Sequence, residues 1–158
     1  MQLVGSIPFT AEEYAFAEQI NRTYPPDSAQ GIADSFHIPL SVLEKSSLAA
    51  DNYPSFDEEI VYTFSTDVGD LSWRVPLSLL MTACFPTHAA WHTWGVTAAA
   101  GTSIGHKGML HAAKIMALSG LDLLTQPQVL AQVRCEFEEA RRQHTPPPPL
   151  PSHIQPPA

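Results

Sequence analysis

A chain of 158 residues is long enough to bury a core without disulfide or metal staples, and its 44% hydrophobic and 15% charged content is that of a globular protein. With 8 Lys plus Arg against 16 Asp plus Glu the formal charge is −8, which argues against nucleic-acid binding, since that needs clustered cations to displace phosphate counterions. The start, MQLVGSIPF, has neither the basic n-region nor the apolar h-region of a signal peptide, and no apolar run is long enough to span a bilayer; the expectation is a cytoplasmic protein with no membrane partner.

Residues 1–9 read as extended. Thr10 and Glu13 then form a T-x-x-E capping box that opens a helix, AEEYAFAEQINRTY, stopped by Pro25 and Pro26. From 27 to 59 the chain is polar and loop-like, with one short helical piece around 42–48; so long a loop covers a site, docks on a partner or is disordered. Residues 60–64 (IVYTF) read as a strand, 75–83 (VPLSLLMTA) as a second, buried one despite Pro76 at its start, and 93–99 (TWGVTAA) as a third. Strands followed by helices favour an α/β fold, a few strands covered by helices.

Helical spacing returns at 106–124, where Met109, Ala112, Ala113 and Met116 recur at three- and four-residue steps. A further helix follows, opened by a second capping box of Thr125 and Gln128 and lined by Val129, Leu130, Val133, Phe137 and Ala140. From 144 to 158 the sequence TPPPPLPSHIQPPA and its preceding His144 form a proline-rich tail, extended or disordered. Cys84 and Cys135 read as reduced, buried thiols.

Chemistry concentrates between 65 and 111. His88 and His92 have H-x-x-x-H spacing, which on a helix aims both rings one way and holds zinc, but Pro86 and Gly95 bound the segment and the glutamate of H-E-x-x-H is absent. Asp67 and Asp70 flank Gly69, either as a polar turn or as carboxylates that orient a metal-bound histidine or a substrate. Gly101, Thr102, Ser103, Gly105, His106, Lys107 and Gly108 resemble a phosphate cradle at a helix start without matching a P-loop, and a simple helix cap is the commoner outcome. Cys84 is a nucleophile if His88 or His92 serves as its base, and otherwise an inert core thiol.

Several of these motifs occur together in one known group. Residues 66–73 (TDVGDLSW), 83–85 (ACF), 92–94 (HTW) and 103–110 (SIGHKGML), with Ala112, Ala113 and Lys114 behind them, resemble the C-terminal part of the aminobenzoyl-glutamate utilization protein B group, among the metal-dependent amidohydrolases and peptidases that include aminoacylase and carboxypeptidase G. The resemblance implies that residues 1–143 are the C-terminal portion of an α/β catalytic domain, with 144–158 as tail. It also implies that His92 is the last ligand of a divalent metal centre, zinc or manganese. Asp67 and Asp70 then lie at the rim of the site, and His106 and Lys107 belong to a characteristic motif of the group; all four are expected as substrate-binding residues.

Members of the group cleave the amide bond of N-acyl or aminobenzoyl amino acids, using metal to polarise the carbonyl and activate water and a glutamate as general base. The other ligands, that glutamate and the smaller dimerisation domain that interrupts the catalytic domain in the group have no counterpart in this sequence, so the expectation is a fragment inactive by itself, completed by an N-terminal half or partner subunit, with exposed apolar surface where that half docks. Two other readings stand beside it: a non-catalytic interaction protein whose PPPPLP tail occupies an aromatic groove, and a small metal-binding protein using His88, His92 and His106.

Overall fold

The computed structural model describes residues 4–54 and 66–143. Every regular element among them is a helix: α1 (Ala11–Asn21), α2 (Ser28–Phe36), α3 (Leu40–Leu43), α4 (Val68–Ser72), α5 (Trp94–Ala100), α6 (Ser103–Thr125) and α7 (Pro127–Gln143). No strand occurs among the described residues, and the α/β expectation of a few strands covered by helices is overturned. Of the three expected strands, 60–64 lies outside the described residues, 75–83 is irregular, and 93–99 is almost entirely helix α5. The proline-rich tail also lies outside them.

Each difference has a physical reason. A buried strand over 75–83 requires its apolar residues to be covered, yet Leu77, Leu79 and Met81 are 44%, 62% and 49% exposed, so the burial that would favour a central strand is missing. In α5 the Gly95 N–H, one of the first-turn donors that a helix leaves unmet, finds a partner in the Tyr24 hydroxyl at 3.2 Å. A Cβ at Gly95 would stand 2.5 Å from that oxygen, so a residue whose place in the pattern fits a strand serves instead as the contact that seats a helix.

The helix expected from the first capping box is α1. Glu13 N–H donates to Thr10 Oγ1 at 3.3 Å, and Thr10 N–H donates to the Glu13 carboxylate at 2.7 Å. The loop expected over 27–59 contains α2 and α3. Ala29, Ile32, Ala33 and Phe36 fall at i, i+3, i+4 and i+7, and the helix closes at His37, whose left-handed φ of 52° lets its N–H return to Ala33 O. The second capping box does not form. Thr125 is still within α6, its hydroxyl donating back to Leu121 O at 2.7 Å, and α7 opens on Pro127, which gives up no helical hydrogen bond there.

The chain divides into two compact units, Met1–Tyr62 with Leu80–Leu118, and Thr63–Leu79 with Ser119–Ala158. In the first, Ala17 of α1, Leu48 and Ile104 of α6 form one buried cluster against Phe9 and Tyr14. Ala29, Ala33 and Leu43 form another, with Ile32, Ile38 and Leu40 around it. Alanines contribute to both, Ala17 to the first and Ala29 and Ala33 to the second, where a small side chain lets backbone come close.

Gly108 shows how close. A Cβ there would lie 2.4 Å from Ala83 O and 2.6 Å from Cys84 Sγ, so α6 accepts the 82–84 segment only because that position is bare.

The second unit has no buried residue in α4 or α7 among those described. Val129, Leu130, Val133 and Phe137 form a half-buried stripe on α7, and the Arg141 guanidinium sits 5.6 Å from the Phe137 ring. Leu121 and Leu124 are 53% and 86% exposed. No helix among the described residues is long and apolar enough to cross a membrane. Both cysteines are free; Cys84 is half-buried, and Cys135 is exposed rather than buried.

Candidate functional site

His92 sits in a turn whose neighbours are fastened on both sides. Before it, Pro86, Thr87 and Ala89 are buried, Thr87 N–H donates to Ser47 O at 3.1 Å, and the Thr87 hydroxyl donates to Ser46 O at 3.1 Å. The Asn21 side chain at the end of α1 uses both of its ends on this loop, donating to Thr87 Oγ1 at 3.3 Å and accepting from His88 N–H at 3.0 Å. After it, the Thr93 hydroxyl donates to Ala90 O at 2.6 Å, which leaves its lone pairs to accept from the Tyr24 hydroxyl, also at 2.6 Å.

Between these anchors His92 adopts φ 63°, a left-handed conformation that costs a residue with a Cβ about 1–2 kcal/mol. The ring is exposed and makes no hydrogen bond among the described residues. Beside it Trp91 stacks on Phe36 at 4.7 Å and meets Phe85 edge-on at 6.3 Å, and Trp94 stacks on Tyr24 at 6.2 Å. His88 and His92 occupy separate turns, so the helix that would align an H-x-x-x-H pair is absent there.

Lys107 has an internal partner. Its ammonium lies 2.7 Å from Glu13 Oε2 and 2.8 Å from Pro8 O, and Ser103 Oγ donates to the other oxygen of the same carboxylate. The serine and lysine that resemble an anion cradle therefore converge on a carboxylate of this chain. Burial pushes the Glu13 carboxyl up, but hydrogen bonds from Lys107, Ser103 and the Thr10 N–H outweigh it and hold the group below the usual carboxylate range.

His106, one residue earlier on α6, is exposed and makes no hydrogen bond among the described residues. Asp67 and Asp70 belong to the second unit, both exposed at the start of α4, and Asp67 makes no side-chain cap. Cys84 has Thr82 Oγ1 at 3.6 Å and no histidine hydrogen-bonded to it among the described residues, so the arrangement holds no thiol–imidazole pair.

No group of three or more His, Cys, Asp or Glu side chains among the described residues is placed to hold a metal ion. These residues do not by themselves fit the zinc or manganese centre that the motifs imply, and such a centre needs donors beyond them.

One polar residue carries no signal of its role in the sequence. His111 of α6 is 7% exposed, and its Nε2 lies 2.8 Å from Asn52 Oδ1. The orientation of that amide is fixed by Nδ2, which donates to Val4 O and Gly5 O. Asn52 Oδ1 can only accept, so Nε2 carries the proton and the Nδ1 lone pair of the neutral ring has no partner among the described residues. Burial, and then the nearby Lys114 charge, hold the imidazole below its ordinary pKa. Only the hydrophobic spacing of α6 is visible in the sequence; the partner, Asn52, is 59 residues away.

The chain is similar to one subunit of the p-aminobenzoyl-glutamate hydrolase of Escherichia coli strain K12, at 29% identity over 160 aligned residues. The match covers 96% of this chain and 33% of that protein, so the chain spans about a third of the length of the curated relative it matches. The resemblance carried by the motifs is borne out, including its restriction to the C-terminal part. No family model matches the chain, and no solved structure matches it.

Proposed function

We propose that this chain is one portion of an amidohydrolase that cleaves the amide bond of aminobenzoyl-glutamate or related N-acyl amino acids, and that it supplies His92 to a metal centre completed by other polypeptide. Support comes from the likeness to the p-aminobenzoyl-glutamate hydrolase of Escherichia coli over nearly the whole chain. The observation that carries the reading is the His92 turn: an exposed imidazole held in a left-handed conformation by anchors on Asn21 and Tyr24. Strained backbone persists where the surroundings over-determine it, and at His92, unlike the left-handed helix cap at His37, it falls within the H-T-W motif, which supports a functional role for this side chain.

Because the described residues gather no metal site, no catalytic step is assigned to them. Asn21, Thr87, Thr93 and Tyr24 hold the loop, and the aromatic group of Phe36, Phe85 and Trp91 gives it an apolar flank suited to an aroyl ring.

The test is reconstitution. Co-expressed with the segment corresponding to the remaining two thirds of the relative, the chain is expected to release p-aminobenzoate from p-aminobenzoyl-glutamate, with neither piece active alone. His92→Ala abolishes that activity while leaving co-purification of the pieces intact. A reconstituted H92A enzyme as active as the unsubstituted one overturns the assignment of His92.

A further inference from the structure

A groove of about 630 Å³ runs between the 4–8 segment and one side of α6, walled by Val4, Pro8, Leu110 and Leu118 and edged by His111 and Lys114. Its polar side chains can be sorted by whether they are already satisfied. Lys107 is held by Glu13 and Pro8 O, and Ser6 Oγ donates to Asp51 Oδ1 at 2.9 Å. Two groups remain: the Lys114 ammonium, which has no acidic partner among the described residues, and His111 Nδ1, whose lone pair is left open because Asn52 fixes the proton on Nε2.

This nitrogen is not sealed in the core, since no buried side-chain nitrogen or oxygen among the described residues lacks a partner. His111 itself is among the residues that line the groove. His111 and Lys114 are three residues apart on one helix, and side chains so spaced emerge on the same face with Cβ atoms about 5–6 Å apart.

One cation, one bare hydrogen-bond acceptor beside it and apolar walls, with Leu110 56% exposed, specify a ligand with three features: an anionic group, an N–H close to it, and an apolar body. We infer that this groove binds an N-acyl amino acid, the carboxylate on Lys114, the amide N–H donating to His111 Nδ1, and the acyl group against Leu110, Pro8 and Leu118. Choosing an acylated amino acid over other amphipathic anions with an N–H rests on the hydrolase reading above. The groove itself needs neither a metal nor a second polypeptide. A free phosphate has neither the N–H nor the apolar body and is not accommodated by these groups.

Hippurate (N-benzoylglycine) is the probe, titrated into the full chain with no metal added, while the imidazole nitrogens of His111 are followed by long-range ¹H–¹⁵N NMR. The free chain is expected to show the Nε2–H tautomer, and hippurate to move the Nδ1 resonance as its lone pair accepts a hydrogen bond. N-methylhippurate keeps the charge and the ring but lacks the N–H, and binds roughly fivefold more weakly, one hydrogen bond's worth. Lys114→Met, at an exposed position that leaves the fold intact, weakens hippurate roughly tenfold, the value of a charge-assisted contact.

An unmoved His111 resonance up to millimolar hippurate, equal affinity for the N-methylated compound, or an unaffected K114M chain each overturns the proposal. Failure here together with an active reconstituted hydrolase refutes the groove alone, whereas hippurate binding with an inactive reconstitution refutes the hydrolase reading alone.

Discussion

The Lys107 ammonium and the Glu13 carboxylate, 94 residues apart, meet at 2.7 Å and tie α6 to α1. The Glu13 side chain is 10% exposed and that of Lys107 27%, so the pair is screened far less than the surface pairs of this chain, such as Arg22 with Glu18. Glu13 also accepts from the Thr10 N–H and from Ser103, which places a helix cap, an ion pair and a helix start on one side chain.

Glu13→Gln removes the charge and keeps the shape, and is expected to destabilise the fold by about 2 kcal/mol, the range for hydrogen bonds to charged groups. The pH dependence follows from the depressed folded-state pKa. Its stabilisation is fully present above the ordinary carboxylate value of about 4.3 and is lost as pH falls through the lower folded value. Urea unfolding between neutral and acid pH should show a larger acid loss in the wild type than in E13Q, and parallel curves would remove Glu13 from the account.

Glycine positions on α6 should respond to alanine with opposite signs. At Gly105 a Cβ would stand 2.0 Å from Ala100 O, a backbone atom that cannot swing away, whereas at Gly120 nothing lies within 4 Å. Gly120→Ala is expected to stabilise by about 0.5–1 kcal/mol, the ordinary helix-propensity gain, and Gly105→Ala to destabilise despite the same gain. Thermal denaturation of the two variants side by side decides it; equal shifts would mean that the α5–α6 approach is looser than described.

Which elements are legible follows from the range of the forces that form them. The Thr10–Glu13 box is readable because its donors and acceptors lie three residues apart, and it stands as read. The spacing of Ala29, Ile32, Ala33 and Phe36 is also present in the sequence for α2, but the two alanines carry little hydrophobic contrast and Gly31 sits among them. Residues 93–99 fit a strand pattern because so short a window does not separate the two periods, and the helix they form is seated on Tyr24, some seventy residues earlier. Ser103 and Lys107 do seek an anion, as their spacing suggests, yet nothing local says that the anion is Glu13. The His92 turn, by contrast, is legible only through resemblance, since its left-handed backbone depends on Asn21 and Tyr24.

Tyr24→Phe tests those distant anchors. It removes the hydroxyl that donates to Thr93 at 2.6 Å and accepts from Gly95 N–H at 3.2 Å, while the ring keeps its stacking on Trp94. The expected stability cost is about 1 kcal/mol. In the reconstituted enzyme kcat should fall further than that cost implies, with KM changed little, because the loop carrying His92 loses its register. A variant that loses stability yet keeps full kcat would make Tyr24 structural only.

His92→Gly separates positioning from folding. Glycine adopts φ 63° without the Cβ penalty, although it also loses more conformational entropy on folding, so the net expectation is a chain as stable as the wild type or up to about 1 kcal/mol more stable. His92→Ala keeps the penalty and gains nothing. Both variants should lose amide hydrolysis in the reconstituted enzyme, so the strained histidine trades stability for function. Chemical denaturation of the three chains, alongside the reconstituted assay, reads both quantities. If H92G is less stable than H92A, the left-handed turn is not held against a backbone preference, and His92 has no claim to being aimed by its loop.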